Sequence, residues 1–199
     1  MNGRTLYHAL VLGAFCLGFG TLLATTDLLT ADEIKLRQVE DLQASLGQVI
    51  PASIHDNNPV NDAIVMKNEE GKEITIYRAT RGGRVTGVAY ELLGSGYGGE
   101  IRLLLGVDGD GKILGVRATE HRETPGLGDK IDVAKTDWIL RFTGLSLGAP
   151  PADKWKVKKD GGQFDQFSGA TITPRGVVSA IRSGLEFFAA HKTQMLEVH

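Results

Sequence analysis

Residues 73–119, EITIYRATRGGRVTGVAYELLGSGYGGEIRLLLGVDGDGKILGVRAT, decide the fold. Four runs within them, EITIYRAT (73–80), VTGVAYELL (85–93), IRLLLGV (101–107) and KILGVRAT (112–119), are rich in β-branched and aliphatic residues. They are separated by RGG, GSGYGG and DGDG, whose glycines and aspartates tolerate the backbone angles of tight turns. Strands joined by such short turns pair antiparallel, so this text predicts a meander.

Downstream, TDWILRFTGL (136–145) has helical spacing, and WKVKK (155–159) is expected to add an edge strand before Gly161 and Gly162. A last helix is expected with Thr173 as N-cap, Pro174 at its first position, and Val178, Ile181, Leu185 and Phe188 on one apolar face. Trp138 and Trp155 are expected in the core. The predicted class is therefore α+β, a twisted antiparallel sheet flanked by helices.

Upstream, Ile34, Leu36, Val39, Leu42, Leu46 and Val49 recur at roughly helical spacing, and Thr30 with Glu33 has the form of a capping box. Gly47 and Pro51 are expected to close that helix, and the Asn/Asp-rich text between His55 and Asn68 reads as loop or short helix. Residues 6–25, LYHALVLGAFCLGFGTLLAT, contain no Asp, Glu, Lys or Arg. A helix of about 20 such residues spans the hydrocarbon layer of a membrane. The apolar run exceeds the roughly 7–15 residues usual in a cleaved signal peptide, so a retained transmembrane anchor is expected. Phe15 directly before Cys16 argues against lipidation there. Arg4 precedes the span while Asp27, Asp32 and Glu33 follow it, which predicts a bulk that lies outside the cytoplasm. In a bacterium this is a single-pass inner-membrane protein with a periplasmic domain. The expected divisions are a cytoplasmic tip and anchor over 1–29, a linker helix over 30–50, and an extracytoplasmic domain over 51–199.

The 199 residues suffice for one domain with a core plus an appendage. With 22 Lys and Arg against 24 Asp and Glu, and no dense basic stripe, the chain lacks the footprint of a nucleic-acid binder. Cys16 is the only cysteine, which excludes an intrachain disulfide and Cys-ligated iron–sulfur clusters, so redox chemistry requires a bound cofactor. Glu120, His121 and Glu123 are spaced like the solvated end of a strand, and no metal is expected. No dinucleotide-type G-x-G-x-x-G unit and no acid/base pair is evident, so no catalytic residue is assigned.

Two stretches carry the chemistry. DQFSGATITP (165–174) sets small side chains directly before a helix N-terminus, where free N–H groups and the helix dipole favour a phosphate. Taken alone, the same text is an ordinary helix start. ETPGLG (123–128) is a Pro- and Gly-stiffened turn carrying one aliphatic residue, and by itself reads as a surface turn.

Together these stretches resemble the FMN-binding domain family. Asp165-Gln166-Phe167-Ser168-Gly169-Ala170-Thr171 is similar to that family's D-x-x-[ST]-G-A-T acceptor, in which a flavin transferase joins FMN phosphate to the final Thr. Glu123-Thr124-Pro125-Gly126-Leu127-Gly128 resembles its E-T-P-G-L-G loop beside the isoalloxazine ring. The family includes the G subunit of Rnf ion-translocating electron transport complexes and the C subunit of the sodium-pumping NADH:quinone reductase, and the wording of 94–128 favours the former.

The resemblance implies covalent FMN on Thr171, with Asp165, Ser168, Gly169 and Ala170 read by the transferase. It implies cofactor contacts from Ser168, Gly169, Ala170, Ile172, Thr173, Glu123, Thr124, Gly126, Leu127 and Gly128. Tyr97 and Lys159 enter as lids or charge partners, and equally read as surface residues. It further implies an electron relay, with the other membrane and redox subunits of a ferredoxin:NAD complex as partners. A tethered module that holds a phosphorylated ligand reversibly is the alternative of a different class.

Overall fold

In the computed structural model, residues 3–67 and 71–197 are described; residues 1–2 at the expected tip, residues 68–70, which include Asn68, and residues 198–199 lie outside them. The chain forms two compact units, divided between Asp41 and Leu42.

The first unit is helical. It is formed by helix α1 (Gly3–Val49) as far as Asp41; the last turns of α1, from Leu42, belong to the second unit. Helix α1 contains an 18-residue window of mean hydropathy 1.9 with none of that window buried, so it is long and apolar enough to cross a membrane. Three threonine hydroxyls are satisfied within the helix: Thr21 donates to the Leu17 carbonyl, Thr25 to Thr21 and Thr26 to Leu22. Such internal bonds are what an apolar setting demands of a hydroxyl. The expected capping box at Thr30 and Glu33 does not form. Thr30 instead donates to the Thr26 carbonyl in mid-helix, and Glu33 pairs with Arg37. Helical propensity across 26–33 is uninterrupted by Gly or Pro, so no break separates the apolar run from the amphipathic one.

The second unit is built on a five-stranded sheet in order β1 (Ala63–Lys67), β2 (Glu73–Arg81), β3 (Arg84–Ser95), β4 (Glu100–Asp108) and β5 (Ile113–Glu120), all neighbours antiparallel. The meander is thus as predicted, with one strand more. β1 lies in text read as loop or short helix; its polar prelude hides five residues that pair from Ala63↔Tyr77 to Lys67↔Glu73.

The two-residue period of the strands separates two cores. Val88, Tyr90, Leu92, Leu103 and Leu105 face helix α2 (Ile172–Leu196), which buries Val177, Ile181, Leu185 and Phe188 against them. Each such side chain contributes about 1.5–3 kcal/mol on leaving water. Ala79, Ala89 and Leu104 face the opposite way, toward Leu46, Val49 and Ile50. Ala89 pairs with Gly106 in β4, and a Cβ on Gly106 would sit 2.2 Å from the Val49 carbonyl oxygen. The small residues leave a shallow bed into which the end of α1 settles.

Three further expectations meet a different or a matching outcome. Residues 136–145 supply a 3-10 helix, Asp137–Phe142, capped by the Thr136 hydroxyl accepting from the Trp138 N–H. Residues 155–159 do not make an edge strand: Val157 forms one isolated bridge with Phe164 before a short 3-10 turn at Lys158–Asp160. Trp155 and Val157 turn inward, Trp155 packing near Phe142 and Phe164, while Lys156, Lys158 and Lys159 stay exposed, so the segment is held by this aromatic cluster and not by a strand partner. Both tryptophans are buried, as expected.

Candidate functional site

The segment Asp165–Thr171 is anchored at one end and open at the other. The Trp138 indole N–H donates to the Asp165 carbonyl at 2.8 Å, and its ring meets the Phe167 ring edge-on at 5.1 Å between centroids. The Asp165 carboxylate lies between Arg141 Nη1 at 2.5 Å and Lys158 Nζ at 2.6 Å. The hydrogen bond from Lys158, with its charge and that of Arg141, holds the carboxyl below the usual Asp range. The chain then turns sharply, Ala170 N–H donating to the Phe167 carbonyl at 3.1 Å. Gly169, third residue of that turn, has φ 80°, a conformation that favours glycine. Ser168 and Gly169 are exposed at its tip.

Helix α2 begins earlier than the expected cap. Thr171, not Thr173, is its N-cap, and its side chain makes no capping hydrogen bond. Thr173 is instead fully buried, its hydroxyl donating to Glu123 Oε2. A partner 50 residues away draws that hydroxyl inward, where the local pattern has it turned to the backbone. The Thr171 hydroxyl has no hydrogen-bond partner among the described residues. Beside it the N–H groups of Ile172 and Thr173 open the helix, and no acidic residue occupies the first turn.

The second motif lies against the first. Residues 124–128 form a turn in which Leu127 and Gly128 donate to the Thr124 carbonyl, and a Cβ on Gly169 would be 3.6 Å from Leu127 Cδ2. Leu127 is 41% exposed and Ile172 48%, so one aliphatic side chain stands in solvent against the Gly169 turn and another directly follows Thr171. Thr124 and Gly126 are exposed, while Gly128 is buried. Glu123 is turned inward, 6% exposed. Tyr97 is 75% exposed in the β3–β4 turn. Lys159 is exposed, and its N–H donates to the side chain of Gln166 within the acceptor segment.

The two motifs therefore converge, together with the β3–β4 turn. The roles of Trp138, Arg141 and Lys158 in gripping Asp165 are invisible in the sequence, because they are tertiary contacts from two other segments, the 3-10 helix Asp137–Phe142 and the turn at Lys158–Asp160. Among the described residues, no three His, Cys, Asp or Glu side chains gather as a metal would require.

The G subunit of an ion-translocating oxidoreductase complex from Cereibacter sphaeroides is 51% identical over 96% of this chain and 87% of its own. This chain belongs to the family of those G subunits. Relatives of the same description from Stutzerimonas stutzeri, at 46% identity, and Vibrio vulnificus, at 45%, align over 96% and 95% of this chain and 83% and 92% of theirs. The profile of the RnfG N-terminal region matches residues 1–49, and that of the FMN-binding domain matches 96–186. The second match takes in both motifs and the β3–β4 turn. Crystal structures of Shewanella oneidensis NqrC (23% identity, 76% of this chain and 73% of that one) and of the C subunit of the Na(+)-translocating NADH-quinone reductase from Parabacteroides distasonis (21%, 79% and 97%) share the fold, each with a TM-score of 0.50.

The site suits FMN, the ligand that the matched FMN-binding domain implies. It offers an unpartnered hydroxyl at a helix N-terminus that favours a phosphate, a glycine turn without obstructing side chains, and exposed apolar surface for a flat ring.

Proposed function

We propose that this RnfG family member relays electrons within a membrane-bound, ion-translocating ferredoxin:NAD oxidoreductase complex, carrying FMN as a phosphoester on Thr171. The observation that carries the reading is the unpartnered Thr171 hydroxyl at the N-terminus of α2, beside the Gly169 turn that lies in contact range of Leu127. Bound flavin supplies one- and two-electron chemistry that no side chain of this chain offers.

The chain's own residues bind and orient. The first turn of α2, where Ile172 is exposed, would receive the phosphate, and the α2 dipole would favour its charge. A phosphodiester there bears roughly one negative charge, where a free monoester bears up to about two. Leu127 and Ile172 would pack on the flavin and keep water from it, and Thr124 and Gly126 would lie against its polar atoms. During maturation a transferase delivers an activated FMN. The Thr171 oxygen would bond to phosphorus as the bond from phosphorus to the donor's leaving oxygen breaks and the hydroxyl proton is lost, a net addition of FMN less one water.

The long apolar helix supports a single-pass anchor, and the charge asymmetry around residues 6–25 supports a periplasmic flavin domain in the bacterial inner membrane. The division into an anchor over 1–29, a linker over 30–50 and a domain over 51–199 is proposed on the same basis. The identity to the G subunits, well above that to the C subunits of the sodium-pumping NADH-quinone reductase, favours the Rnf-type complex.

Intact mass of the membrane-extracted chain is the test. The reading expects an increment of FMN less water, absent in Thr171→Ala, and in-gel flavin fluorescence that survives heating in SDS. A colourless, unmodified native chain, or fluorescence retained in Thr171→Ala, refutes it.

A further inference from the structure

The family resemblance makes Glu123 a contact to the cofactor, yet it is 6% exposed and its two oxygens are directed at the protein itself. Oε1 accepts from the Gly98 N–H of the β3–β4 turn at 2.8 Å, and Oε2 accepts from the Thr173 hydroxyl in the first turn of α2. Its own N–H donates to His121 Nδ1 at 3.3 Å. No cation pairs with it among the described residues. The surrounding glycines are shaped to this carboxylate: a Cβ on Gly96 would lie 2.3 Å from Oε1, and one on Gly128 would lie 2.4 Å from Oε2 and 2.8 Å from the Thr173 hydroxyl. Three separate segments, 96–99, 121–128 and the start of α2, thus close around one buried acid.

A carboxylate withdrawn from water is tolerated only while its hydrogen-bond donors stay in place, since losing one leaves a buried charge poorly satisfied. That penalty resists displacement of Thr173. Thr173 has its side chain on Glu123 and its N–H in the turn that would meet the phosphate, so the two are coupled through a single residue.

We propose that Glu123 is a positioning residue: acting through the Thr173 hydroxyl, it sets the first turn of α2 against the Leu127 loop and so presents Thr171 for flavin attachment. This rests on the reading of Thr171 as acceptor. The Thr173 hydroxyl accordingly has a role distinct from contact with flavin, and a side chain of equal shape without the hydroxyl does not replace it.

The test uses the full chain in membranes with its flavin transferase. Thr173→Val keeps the shape and removes the donor, Thr173→Ser keeps the donor, and Glu123→Gln puts an amide N–H against one of the two donors. Covalent flavin is followed against time well below each variant's melting temperature, and amide hydrogen exchange is mapped over 171–175. Expected are an approximately tenfold slower incorporation in Thr173→Val and Glu123→Gln, faster exchange over 171–175, and recovery of both to within about twofold of wild type in Thr173→Ser, a tenfold change being about 1.4 kcal/mol. Wild-type incorporation in folded Thr173→Val or Glu123→Gln overturns the proposal, as does equal impairment of the Ser and Val variants. Should either Val or Gln variant fail to fold, the other and the Ser rescue decide. Thr171→Ala is run in parallel: flavin retained there refutes the acceptor assignment, whereas flavin lost there with no difference between Ser and Val at 173 refutes only the clasp.

Discussion

Gly176→Ala tests how tightly the start of α2 is set against the sheet. A Cβ at Gly176 would lie 1.9 Å from the Ser95 carbonyl oxygen and 2.8 Å from its carbon, whereas real Cβ contacts under 3.0 Å essentially do not occur. Both partners are backbone, so no rotamer change relieves the contact and the helix must retreat from β3 by about 1 Å or more. Overpacking of this kind costs about 1–3 kcal/mol, and a backbone clash belongs at the upper end. Alanine recovers about 1 kcal/mol through its helix propensity, leaving a net loss of about 2 kcal/mol. In a domain of this size that lowers Tm by about 4–8 °C. The retreat moves the turn carrying Thr171 away from Leu127, so covalent flavin incorporation should slow as well. Gly47→Ala is the control: it lies in helix α1 with nothing within 4 Å of a new Cβ, so the same substitution should stabilise by about 0.5–1 kcal/mol. Thermal melts in detergent followed by circular dichroism, with flavin fluorescence of the denatured chain, measure both. An unchanged or raised Tm in Gly176→Ala, matching Gly47→Ala, would show that the close approach to Ser95 does not constrain the helix.

Asp165→Asn should lower stability by no more than about 1 kcal/mol, because both its ion pairs are solvent-exposed, while covalent flavin incorporation falls at least about tenfold if the transferase reads this residue. The carboxyl is held low, chiefly by Lys158, so its small stabilising contribution is complete above about pH 4 and is lost as pH falls through the lowered value; the Asn variant should lack that acid dependence in a pH series of melts. Leu46→Ala removes a 2%-exposed side chain from the core beneath α1 and should cost about 2–4 kcal/mol in denaturant titration. Because that core lies on the opposite sheet face from α2, the folded Leu46→Ala fraction should take up flavin at the wild-type rate. Tyr90→Phe deletes the phenol that donates to the Gly184 carbonyl at 2.8 Å and, with burial pushing its ionisation well up, always donates; a loss of about 1 kcal/mol is expected by melt.

Local sequence determined much of this protein. Alternation in 73–119 specified four antiparallel strands, the unbroken apolar run at 6–25 specified a helix able to span a membrane, and the apolar face of Val178, Ile181, Leu185 and Phe188 specified the last helix, although not its cap. These rest on periodicity and backbone propensity, which act between near neighbours and can be read without a partner. What only the tertiary structure decided involves residues far apart in the chain. Thr173 reads as a cap and becomes a buried donor because Glu123 waits for it; residues 155–159 read as an edge strand and instead send Trp155 inward among Phe142 and Phe164; β1 is held by its register with β2, where its own five residues send a weak signal. A hydroxyl or an aromatic ring has several local options of similar energy, and packing against a distant segment selects among them.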